Sequence, residues 1–122
     1  MKTKAFTLLF TLLLMGIFTA HADDYYSRQA KSYMREAEYY NRQANDYERD
    51  AQYYYKEAQD CLREAEYYTK EGNTDRAQYY TERAHDHAEK GDSYMRKARE
   101  ARAKAQRKIK QAQDAMEKAR RK

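Results

Sequence analysis

The chain has 122 residues, 37% of them charged, with a formal net charge of +5 at pH 7, no Pro, no Trp and one Cys. That length suits one domain, and a single Cys excludes an intrachain disulfide framework. Beyond residue 22 the large aliphatics almost vanish, with Leu62 and Ile109 the last Leu and Ile. This excludes a conventional aliphatic core and leaves Ala, Tyr and a few Met to carry the packing.

The N-terminus reads as a secretory signal. Lys2 and Lys4 make a basic start, Phe6 to Thr19 an apolar stretch, and Ala20-His21-Ala22 a small-x-small cleavage site, so residues 1–22 are read as a signal peptide and the mature chain begins at Asp23. The apolar run is shorter than the roughly 20 residues of a spanning helix, so no transmembrane span is expected after cleavage. No Cys follows it to carry a lipid. The expected location is the periplasm or cell envelope, or outside the cell where there is no outer membrane.

Residues 23–122 form a tandem repeat with units starting at Asp23, Ala37, Ala51, Ala65, Ala77, Gly91 and Ala105. Each of the first six units is 14 residues long except the one from Ala65, which is 12 and contains Glu71-Gly72-Asn73-Thr74-Asp75. Gly72 suits the left-handed end of a helix, and Asn73 or Thr74 suits the cap of the next. The spacing therefore predicts helix 1 over about 24–71, a turn at 72–74 and helix 2 over about 75–121. High charge with few aliphatics also fits disorder; the sustained periodicity favours helices.

In the first helix Ala30, Ala37, Ala44, Ala51, Ala58 and Ala65 recur at heptad position a, with Tyr26, Tyr33, Tyr40, Tyr47, Tyr54, Cys61 and Tyr68 at d. In the second, a holds Ala77, Ala84, Gly91, Ala98, Ala105, Ala112 and Ala119, and d includes Tyr80, His87 and Tyr94. The fold class is all-α: a long antiparallel two-helix hairpin, a coiled coil with Ala at a and Tyr at d, whose dimerisation would give a four-helix bundle. Folding at the turn sets large against small, with Tyr68 on Ala77, Ala65 on Tyr80, Tyr54 on Gly91 and Ala51 on Tyr94. A second turn at Gly91, giving three helices, is the alternative; the unbroken heptad phase favours one turn. The g positions offer an independent check, because Asp50, Glu57, Glu64 and Glu71 would pair with Lys97, Lys90, Arg83 and Arg76.

Three surfaces remain. The e edge carries Met34, Tyr55, Leu62, Met95, Ile109 and Met116, an apolar flank through which the chain would form a homo-oligomer. Tyr25, Tyr39, Tyr53 and Tyr67 recur at fourteen-residue intervals at c, with Tyr79 on the second helix, as an outward row. Such a row fits a contact surface for protein or sugar rings, and equally fits duplication of a Tyr-Tyr pair. Residues 96–122 hold 12 bases and 3 acids. Their Arg99, Arg102, Arg107, Lys110, Arg120, Arg121 and Lys122 make a basic end suited to an envelope polyanion, a glycan or an acidic protein, with nucleic acid disfavoured by the signal peptide.

Chemical sites are sparse. Cys61 suits a small seam position or an interchain disulfide. His85 and His87 are two apart and do not share a helix face, which favours structural roles over metal. No nucleophile–base pair or phosphate loop is legible, so no enzyme, cofactor or metal is expected.

Alanine at every seventh position in an exported helical chain resembles the alanine-zipper lipoproteins of the bacterial envelope, the Braun's lipoprotein type. Arg121-Lys122 resembles that family's Arg-Lys end, which implies Lys122 as a point of wall attachment; the lipid-bearing Cys is missing, and the Gly72 turn departs from the family's straight helix. Tyr68 to Ala84, with Gly72 and Ala77 five apart, resembles one turn of a tetratricopeptide repeat. A basic exported hairpin is similar in shape and charge to the arms of the periplasmic chaperone Skp. These readings rank an envelope scaffolding or interaction module first. A periplasmic holdase and a polyanion-binding module are the alternatives.

Overall fold

The computed structural model describes residues 25–121. The segment read from sequence as a signal peptide with its cleavage site, and Lys122, lie outside these residues. The described chain is two helices packed against each other as an all-α hairpin, α1 (Tyr25–Lys70) and α2 (Thr74–Arg120), with no strand among the described residues. None of these helices is long and apolar enough to cross a membrane.

The turn forms through the expected chemistry. Gly72 takes a φ of 76°, a region that penalises any Cβ. The Asn73 amide donates to Tyr68 O at 2.9 Å and the Gly72 amide to Thr69 O at 3.1 Å, the paired bonds that satisfy the last carbonyls of a helix. Asn73 then caps α2, its Oδ1 accepting from the Arg76 amide at 3.2 Å. Asp75 adds negative charge at the positive end of that helix. Gly91 lies inside α2, so the described residues make one turn between helices, at 71–73, and not two.

The hairpin divides into two compact units. The turn unit is Tyr40–Ala103, and the terminal unit comprises residues 25–39 with 104–121. In the turn unit the buried residues are Ala44, Ala51, Ala58, Ala65, Ala84, Ala98 and Ala101, with Gly91 among them. Their short side chains let two backbones pack closely, as a small-residue seam allows. The Tyr side chains at d are too large to enter that seam and lie along its side, half-buried. There they stack on one another: Tyr54 on Tyr94 with ring centres 5.5 Å apart and planes 8° apart, and Tyr68 on Tyr80 at 5.6 Å and 5°. Aromatic pairs of this kind contribute about 0.5–1.5 kcal/mol beyond their area burial.

This differs from the expected large-on-small pairing. Tyr54 packs on Tyr94 and His87, while Gly91 makes room for Tyr55. A Cβ built on Gly91 would come within 2.6 Å of Tyr55 Cε1. The Tyr55 hydroxyl donates to Asp92 Oδ1 at 2.5 Å, closing a link between the helices.

In the terminal unit the buried set is Ser27, Ala30, Met34 and Ala37 on α1 with Ala105, Ile109, Ala112, Ala115, Met116 and Ala119 on α2. The apolar stripe there follows a and e more than a and d. Met34, Ile109 and Met116, read from sequence as an exposed edge, are 8%, 7% and 4% exposed. Of the apolar e residues, Leu62 is the one that stays largely open, at 52%.

Candidate interaction surfaces

The c-position Tyr residues point outward as the heptad requires. Tyr25, Tyr39, Tyr53, Tyr67 and Tyr79 are 52–62% exposed. Tyr53, Tyr67 and Tyr79 in the turn unit each meet the following d-position Tyr edge-to-face, with ring centres 5.2–5.3 Å apart and interplanar angles of 77–79°. Tyr25 meets Tyr26 the same way in the terminal unit. The half-buried ring thus braces the exposed one. An aromatic ring held in water by such a brace has little side-chain freedom left to lose when it binds, which is what contact residues require.

The second surface, the g flank of the turn unit, was not legible as such. None of the expected pairs Glu71–Arg76, Glu64–Arg83, Glu57–Lys90 and Asp50–Lys97 is among the ion pairs of the described residues. The bases lie over phenol rings instead. Arg76 is 5.3 Å from the Tyr68 ring centre, Lys90 5.6 Å from Tyr54, and Lys97 5.0 Å from Tyr94 and 5.9 Å from Tyr47. Arg83 lies over Tyr79 and donates to its hydroxyl at 3.3 Å, a bond that holds the guanidinium pKa above its usual value. Tyr79 is a c-position ring; for Arg76, Lys90 and Lys97 it is the rings at d that extend far enough to meet the cation before a carboxylate does. The signal in sequence was there, since each of these bases stands beside a Tyr-lined d series, but heptad charge rules weigh only acid against base.

The Tyr55–Asp92 link was also missed. Its trace in the sequence is the single Tyr-Tyr-Tyr run, Tyr53 to Tyr55, in a chain whose α2 has its one glycine at Gly91. The Tyr55 phenol is held above its ordinary pKa of 10.0, first by donating to Asp92, then by burial and by the charge of that carboxylate.

The basic end is divided between the two units. Arg99 and Arg102 belong to the turn unit and Arg107, Lys110, Arg120 and Arg121 to the terminal unit. Arg102 is half-buried and committed, paired with Glu48 at 2.5 Å and donating to Asn45 Oδ1 at 3.3 Å. Arg121 pairs with Glu117 at 2.9 Å. Arg99, Arg107, Lys110 and Arg120 are exposed. Over its described residues the terminal unit carries 10 bases and 4 acids, net +6, against 12 and 14 in the turn unit, net −2.

His87 stacks on Tyr54 with ring centres 6.2 Å apart, and its Nδ1 is buried without a partner. His85 is exposed beside Glu89 at 3.1 Å. Cys61 is a half-buried free thiol. The two His therefore stand apart, one in the seam and one in water, and no group of three metal-ligating side chains occurs among the described residues.

Comparison of the chain with protein-family models, curated proteins and solved structures found no match.

Proposed function

We propose that this chain is a non-enzymatic, exported coiled-coil protein that works by contact, as a structural or scaffolding module of the cell envelope. The observation that carries the reading is the set of outward Tyr rings at fourteen-residue spacing, each 52% or more exposed although the side chain is large and apolar. Water-facing aromatic rings at regular intervals cost solubility, and Tyr25, Tyr53, Tyr67 and Tyr79 meet a neighbouring ring edge-to-face yet stay more than half exposed, so a repeating partner surface of protein or glycan accounts for their exposure. The sequence resemblance to alanine-zipper envelope proteins, and the signal-like N-terminus, support the location.

Cell fractionation tests it. The protein should sediment with the envelope, and the triple variant Tyr39→Ser, Tyr53→Ser, Tyr67→Ser should keep its helicity by circular dichroism but move to the soluble fraction. Unchanged sedimentation of that variant, or a wild-type protein that is wholly soluble, sinks the reading. A second reading is favoured by the net +6 of the terminal unit: binding of an envelope polyanion such as an acidic glycan or anionic lipid headgroup. That binding would weaken steeply with salt, whereas contact through Tyr rings would not.

A further inference from the structure

The g flank of the turn unit has three parallel strips. One edge is acidic, with Asp50, Glu57 and Glu64 on α1 and Glu71 just past its end. The other edge is basic, with Arg76, Arg83, Lys90 and Lys97 on α2, all exposed. Between them lie the half-buried rings of Tyr47, Tyr54, Tyr68, Tyr80 and Tyr94. Both charged rows repeat every seven residues, about 10.5 Å along a helix. Neither takes part in any ion pair of the described residues.

A cation over a phenol ring keeps its whole charge and most of its N–H donors, unlike one held by a carboxylate. The two rows are thus charged surfaces awaiting opposite charge, and the strip between them is aromatic. An aromatic centre with a charged rim is the make-up of a protein interface, where Tyr and Arg dominate. The pattern is also self-complementary. A twofold axis along the unit lays α1 of one copy over α2 of the other at equal height, so every acid of one row meets a base of the other copy's row in the same step. A nucleic acid or glycan would satisfy the basic row alone and leave the acidic row facing like charge.

We propose that the turn units of two copies of this chain dock flank to flank through this face, with Asp50, Glu57, Glu64 and Glu71 of each copy against Lys97, Lys90, Arg83 and Arg76 of the other. The proposal deepens the scaffold reading by naming where the scaffold joins to itself, and it moves the joint from the e edge to the g flank. The aromatic strip supplies the apolar contact, and the rows set direction and register.

Sedimentation equilibrium on the full chain and two reciprocal variants tests it. Wild type should be a dimer that loosens as NaCl rises from about 0.05 M to about 1 M. E57K/E64K and R83E/K90E should each weaken self-association by about tenfold or more, through like charge on both rows. Mixed together, the two variants should form a one-to-one heterodimer, and a single chain carrying all four changes should regain the dimer. That recovery separates the proposal from simple misfolding. A wild-type monomer up to about 1 mM, a dimer indifferent to both reversals, or variants that fail to recover on mixing overturns it. So does a monomer that takes up heparin through Arg83 and Lys90, which would give the basic row to an outside polyanion. The variants keep every c-position Tyr, so loss of the dimer with retained envelope sedimentation separates this joint from the contact role proposed for those rings.

Discussion

The Tyr rings at d on α1 meet different partners in the two units. In the turn unit Tyr54 and Tyr68 stack on Tyr94 and Tyr80. In the terminal unit Tyr33 and Tyr26 lie under Lys108 and Lys118, at 5.5 and 6.0 Å from ring centre to ammonium. The cause is the d series of α2, which supplies Tyr80, His87 and Tyr94 to the first unit, but Lys108 and Ala115 to the second. The buried stripe differs with it. Alanine alone fills the hydrophobic core of the turn unit, while Met34, Ile109 and Met116 join alanine in that of the terminal unit. One repeat therefore yields an aromatic flank in one place and an aliphatic, strongly basic unit in the other. A ring needs a flat partner to stack, and the heptad fixes only where the ring stands.

The sharpest way to break that contrast is Tyr54→Ala. It removes a ring stacked on both Tyr94 and His87 and should cost about 2–3 kcal/mol in urea unfolding. Tyr33→Ala in the terminal unit should cost about 1 kcal/mol, since it loses a cation contact and partial burial. Amide hydrogen exchange should show the first loss over residues 40–103 and the second over 25–39 with 104–121. Equal costs, or loss spread evenly over both, would erase the distinction.

Gly91→Ala comes next. The new methyl would push Tyr55 aside and break its bond to Asp92, at about 1–2 kcal/mol, partly offset by the better helix propensity of alanine. Combined with Tyr55→Ala, the same change should become neutral or stabilising, and a double-mutant cycle measures the coupling. Gly72→Ala should cost about 1 kcal/mol through its left-handed backbone, with faster proteolysis at the turn as the readout.

The smallest effect is that of pH on Tyr55. Folding raises this phenol's pKa, so its contribution is full below the ordinary value of 10.0 and is lost as pH climbs through the higher folded value. Wild type should therefore lose slightly more stability than Tyr55→Phe between about pH 9 and about pH 11.5. Parallel curves for the two proteins would show that Asp92 does not hold the phenol.

Much of the fold was legible because it rests on local rules. Glycine at Gly72, a cap at Asn73 and a 12-residue unit in a 14-residue repeat each mark the same turn. The outward c-position Tyr rings follow from periodicity, since positions three or four residues apart share a face. The flank chemistry was less legible. Sequence counts charges as points, whereas Lys90 and Lys97 are flexible chains that settle on whatever lies within reach, here the rings of Tyr54 and Tyr94. The pairing of Tyr55 with Gly91 and Asp92 depends on how far one helix is rotated against the other, which no repeat count contains.

The sequence by itself determined two helices, the place of the turn between them, the alanine seam and the outward tyrosines, because each follows from backbone propensity or from 3.6 residues per turn. Only the tertiary structure decided which ring lies on which, that Met34, Ile109 and Met116 are buried, and that the g-flank bases of the turn unit rest on phenols and leave Asp50, Glu57, Glu64 and Glu71 outside the ion pairs of the described residues. Those outcomes depend on side-chain reach across a packed pair of helices. Distances of a few ångströms decide them, and a linear pattern does not carry such distances.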